Sequence, residues 1–154
     1  MIDKWYIIYD TRNQEFTKRF DDPKIIELSC TDNGIVGHPI RNMSLNIVTE
    51  GLLYYLDDDN VMHSDFWTVC STFLPGHIYL FDQDRKGNLL KGNNPTVDNI
   101  DTAQYVFDVG LVNGLRFDVN AYNGDGIFIE TLCNHNSSVI AYINKTCCYY
   151  NFLA

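Results

Sequence analysis

The side chains with most chemistry to offer lie in the stretch 105–133, YVFDVGLVNGLRFDVNAYNGDGIFIETLC: three carboxylates, Asp108, Asp118 and Glu130, and one guanidinium, Arg116. On one face of a sheet, the acids would sit at neighbouring-strand spacings of roughly 5 Å. Clustered carboxylate oxygens favour a hard cation or a basic partner group, because they focus negative potential. Two that lie close together have their pKa values pushed apart, as an acid/base pair requires. Asp118 and Glu130 at that separation would also suit glycoside hydrolysis, with Tyr122 and Phe128 as nearby sugar-stacking aromatics. Like charges placed opposite each other are destabilising, and Arg116, two residues from Asp118, is the group that offsets them. The plain alternative is a solvated outer face.

Such a row depends on register. Tyr105, Phe107, Val109 and Leu111 alternate with Val106, Asp108 and Gly110, and Leu115, Phe117, Val119 and Ala121 alternate with Arg116, Asp118 and Asn120, the period of half-buried strands. A three-residue loop, Val112, Asn113 and left-handed Gly114, keeps apolar faces together, whereas a two-residue loop at Asn113 and Gly114 mixes them. An odd loop over 122–126 then sets Val119 beside Ile129. Asp108 falls opposite Asp118, and Asp118 opposite Glu130.

A second acidic group, Asp57, Asp58 and Asp59, follows the apolar run 52–56. It reads as a solvated tip, since adjacent side chains on a turn point different ways and do not readily share a cation. The segment 82–89, DQDRKGNL, begins like a calcium loop, but Lys86 sits at the fifth ligand place and Asn93 at the twelfth, where a bidentate glutamate is required, so a tight strand-to-strand turn is expected. His38, His63, His77 and His135 have no zinc spacing, and no nucleophile elbow, P-loop or dinucleotide fingerprint occurs. No catalytic residue, metal ligand or cofactor is assigned.

The elements needed to carry these groups read mostly as strands: 5–9 and 15–20 as an N-terminal hairpin, 43–49, 52–56, 61–74, 77–81, the three strands of 105–133, then 138–143 and 146–152. Asp22-Pro23 resembles a helix start and Asn33-Gly34 a stop, which gives at most one short helix near residues 23–30, with a strand through Ile25, Ile26 and Leu28 as the competing reading. The fold expected is all-β: one domain over 1–154, an antiparallel sandwich or flattened barrel of about nine or ten short strands.

At 154 residues and 45% hydrophobic content, the chain can bury a sizeable core without metal or disulfides. A net charge of -9 disfavours nucleic acid and favours a basic protein or a cation. No apolar run spans a membrane and no signal peptide is evident, so a soluble, cytoplasmic chain is expected, or a secreted one if a leader has been removed. Five cysteines, Cys30, Cys70, Cys133, Cys147 and Cys148, fit reduced thiols. In an oxidising compartment, Cys147 or Cys148 could bridge to Cys133. Sequons at Asn42, Asn136 and Asn144 would matter only after export. The function expected is that of a non-catalytic acidic inhibitor, antagonist or immunity-type protein, docking a basic partner through Asp108, Asp118, Glu130, Arg116, Asp57, Asp58 and Asp59. The alternative is a secreted glycan-binding or glycan-cleaving β-sandwich.

Overall fold

A computed structural model describes residues 2–32 and 34–153; Asn33, half of the expected helix stop, lies outside the described residues. In chain order the elements are β1 (Trp5–Asp10), β2 (Ile25–Cys30), α1 (His38–Ile47), β3 (Leu52–Tyr54), β4 (Val61–Met62), α2 (Ser64–Cys70), β5 (Ile78–Arg85), β6 (Asn88–Leu90), β7 (Tyr105–Asp108), α3 (Gly124–His135) and β8 (Ile140–Tyr149). Short 3-10 turns cover Thr102–Gln104, Val109–Leu111 and Ser137–Val139. β1 and β2 form a parallel pair, and the other strands form one sheet in the order β3-β7-β5-β8-β4, with β6 on β5. The architecture is therefore mixed α/β, which overturns the expected all-β sandwich or barrel.

β5 shows why. In Ile78-Tyr79-Leu80-Phe81, Ile78 and Leu80 pack with Tyr105, Phe107 and the α3 residues Phe128, Ile129 and Leu132. Tyr79 and Phe81 pack on the opposite face with Phe66 of α2 and Cys147. A strand covered by helices on both faces reads as a continuous apolar run, and β8 runs parallel beside it, as βαβ connections require. β7 and β6 pair antiparallel with the two halves of β5, the second through a two-residue turn at Lys86 and Gly87 with φ 54° and 89°. Residues 82–89 thus make the tight turn expected of them.

Four expected strands, most of a fifth and the expected helix are replaced. The segment 127–133 lies in α3, whose buried Phe128, Ile129, Leu132 and Cys133 recur at helical spacing. Its glycines are poor helix formers, but the packing demands them: a Cβ on Gly124 would meet the Asp118 carbonyl oxygen at 2.7 Å, and one on Gly126 would meet Val97 Cα at 3.0 Å. Residues 115–121 form an irregular connection that stacks Phe117 on Phe128 at 4.0 Å. Residues 43–47 lie in α1, which escaped notice because its buried face is polar: His38, Arg41 and Ser44 at three-residue spacing. The expected helix near 23–30 is β2, and it pairs with β1 in place of the expected 15–20 strand. Residues 15–20 turn back instead, so that the Arg19 and Phe20 amides donate to the Glu27 carboxylate at 3.0 Å. Within 61–74 only β4 is extended; α2 follows, started by His63, whose Nδ1 accepts from the Asp65 amide. Among the described residues, no helix is long and apolar enough to cross a membrane.

Candidate functional site

The polar face of α1 sets the centre of the site. Arg41, its side chain 10% exposed, donates from Nη2 to Asp57 Oδ1 at 2.6 Å and to Thr102 Oγ1 at 3.2 Å. Its Nη1 donates to the Val36 carbonyl and to His38 Nδ1, the latter at 3.2 Å. Asp57 follows β3, where the chain turns through a bond from the Asn60 amide to the Asp57 carbonyl. The acidic tip is thereby fixed at the end of β3 by a buried guanidinium fork that only arginine supplies.

A guanidinium can only donate, so His38 Nδ1 accepts and the imidazole proton resides on Nε2. That nitrogen is buried without a hydrogen-bond partner and faces Gly124, whose added Cβ would come within 2.8 Å. The ring lies flat on Phe117, centroids 5.7 Å apart. Burial, and then the Arg41 charge, push the imidazole below its ordinary range, while Asp125 in the first turn of α3 pulls the other way.

Asp101 precedes Thr102, whose Oγ1 lies 3.4 Å from Asp57 Oδ2. Its Oδ1 accepts from the Ala103 amide and from Gln83 Nε2, and Arg85 stands 3.9 Å from its Oδ2. Burial raises its carboxyl above the usual range, opposed by the Ala103 bond and reinforced by Asp57. The Tyr105 hydroxyl, buried without a partner, is pushed well up by burial and then by Asp125. Asp57, Asp101 and Asp125 thus share one electrostatic neighbourhood with Arg41, His38 and Tyr105. The excess of negative charge there favours a cation, as clustered carboxylates do. Among the described residues, no three His, Cys, Asp or Glu side chains are placed to hold a metal by themselves.

The expected acidic row does not form, because its members lie on different kinds of element. Asp108 ends β7 and accepts from the Gly110 and Gly76 amides at 2.8 and 2.6 Å. Asp118 lies in the connection before α3 and accepts from the Asn120 amide. Glu130 is helical and accepts from the Val97 amide. Arg116 reaches Asn46 Oδ1 and the Leu115 carbonyl rather than Asp118. The three acids end turns or tie loops. Asp58 is exposed, and Asp59 receives the Leu153 amide on its carbonyl. Of the expected residues only Asp57 reaches the site described here, with Asp58 and Asp59 following it on the same tip. Arg41, His38, Asp101, Thr102 and Asp125 were missed. An apolar run ending in acids marks the Asp57 tip alone; Arg41 and His38 lie on a buried polar helix face that carries no hydrophobic signature.

All five cysteines are free; Cys30, Cys133, Cys147 and Cys148 are buried, and Cys70 is partly exposed. Burial pushes the Cys133 and Cys147 thiols up to about 12 and Cys148 up to about 11. The sequon asparagine Asn42 is engaged by the Phe117 backbone through both its amide atoms, and Asn136 donates to Leu111 and Leu132.

No protein-family model matches the chain, and no curated protein sequence matches it. Similarity appears at the level of structure. A crystal structure of Staphylococcus aureus TarS 1-349 matches with a TM-score of 0.59 and 12% identity, and the same protein in complex with UDP with 0.62 and 14%. Each match covers 82% of this chain and 43% of TarS 1-349. A longer S. aureus TarS structure matches with a TM-score of 0.59 and 13% identity, over 81% of this chain and 26% of that one. This chain therefore shares a fold with part of TarS and spans less than half the length of the TarS chains it matches.

Proposed function

We propose that this chain binds UDP or a UDP-sugar through a divalent cation at the end of β3. The observation that carries the reading is the fixed acidic tip, with Asp57 locked by Arg41 and within electrostatic reach of Asp101, which in turn feels Asp125. TarS, which shares the fold, was crystallised with UDP. A chain of net charge -9 repels a diphosphate unless a cation mediates. Magnesium-type ions are held by one or two carboxylates together with substrate phosphates, so a closed protein cage is not required. Asp57 and Asp59 are assigned as those carboxylates. UDP is the leaving group when a UDP-sugar gives up its sugar, and Asp125 is assigned to accept the proton of the attacking hydroxyl.

Docking of a basic partner loses one of its supports, because the row that motivated it does not form; the net charge of -9 and the lack of catalytic motifs in the sequence remain. Titration calorimetry of UDP with and without Mn²⁺ tests the proposal. Binding is expected only with Mn²⁺, weakened at least about tenfold by Asp59→Asn and unchanged by Asp58→Asn. Absence of Mn²⁺-dependent UDP binding would refute it.

A further inference from the structure

Tyr122 is 79% exposed, the most exposed of the large apolar side chains among the described residues. A single exposed aromatic is ordinary. This one is unusual in where it stands and how firmly its backbone is held. It lies two residues before α3 and three before Asp125. The Ala121 amide donates to the Asp118 carbonyl and the Gly124 amide to the Ala121 carbonyl, while the Ile35 amide ties Val119 to the α1 side. Buried His38 closes the far end of this loop, its Nε2 2.8 Å from where a Cβ on Gly124 would lie. The ring is thus held out into solvent by a fixed loop.

Its neighbours in the loop carry amides, and one of them reaches a carboxylate. Asn120 is exposed, and Asn123 donates towards exposed Asp98 at 3.5 Å, with Asp98 held at φ 68°. Sugar rings present an apolar C–H face and a rim of vicinal hydroxyls. An aromatic plane receives the face, and side-chain amides and carboxylates receive the rim.

We propose that Tyr122 is the platform on which a pyranose ring stacks at this site. The inference rests on the UDP-sugar reading above, and the sugar is either that of the nucleotide or a second one that receives it.

Calorimetry on wild type, Tyr122→Ala and Tyr122→Phe separates these sources. UDP with Mn²⁺ should bind all three within about twofold. Tyr122→Ala should lose about tenfold towards UDP-glucose if the platform serves the nucleotide's sugar, or towards methyl glycosides of glucose, galactose and N-acetylglucosamine, added over UDP and Mn²⁺, if it serves the second. Tyr122→Phe should restore the loss. Equal affinity of the alanine variant for every sugar, or an equal loss towards UDP itself, would overturn the platform. If UDP fails to bind at all, the nucleotide reading falls and the platform is judged separately: methyl glycosides must shift the Tyr122 amide in NMR spectra of wild type, and no shift rejects it.

Discussion

Arg41 is the residue on which the site's geometry turns, because one fork joins Asp57, Thr102, the Val36 carbonyl and His38. Lysine keeps the charge but cannot reach several acceptors at once, so Arg41→Lys is expected to lower stability by about 1–3 kcal/mol in urea melts. His38 gives a pH dependence of definite sign. Its folded-state pKa is lowered by burial and by Arg41, so the unfolded chain binds the proton first as pH falls. Its contribution is therefore complete above about pH 6.5 and lost progressively as pH falls towards the folded-state value. The urea midpoint should decline over that window in wild type and less in His38→Gln. Asp101, whose carboxyl is raised by burial, acts with the opposite sign at lower pH. At this scale the sequence displayed Asp57 but hid Arg41 and His38, since polar residues on a buried helical face carry no hydrophobic signature.

Among elements, the strands with strong β formers were legible, and β1, β3, β5 and β7 lie where alternating or continuous apolar runs placed them. The helices were not. α3 begins with glycines and carries Ile127, Ile129 and Thr131 in false alternation, and tertiary packing overrides both signals. The same packing makes two glycines sensitive. A Cβ on Gly92 would lie 2.2 Å from the Phe81 carbonyl oxygen in the middle of β5, whereas one on Gly124 meets Asp118 oxygen at 2.7 Å and His38 Nε2 at 2.8 Å. Gly124→Ala should cost about 1–3 kcal/mol by overpacking and move α3 away from the site; Gly92→Ala should cost more. Denaturant midpoints of the two variants test that order.

For the molecule as a whole, the two sheets differ in protection. β5 has six residues in succession, Ile78 to Gln83, at 7% exposure or less, whereas Trp5 of β1 is 47% exposed and the rest of that strand half-buried. Amides of β1 and β2 are expected to exchange with solvent deuterium at least about tenfold faster than those paired between β5 and β8. Comparable rates would mean that the parallel pair shares the stability of the main sheet. The burial of four thiols out of five also makes the chain its own conformational reporter. A maleimide should attach once to the native protein, at Cys70 on the rim of α2, and five times after denaturation. Each additional adduct in the mass spectrum then counts molecules that have opened their interior, with no cysteine added or removed by mutagenesis.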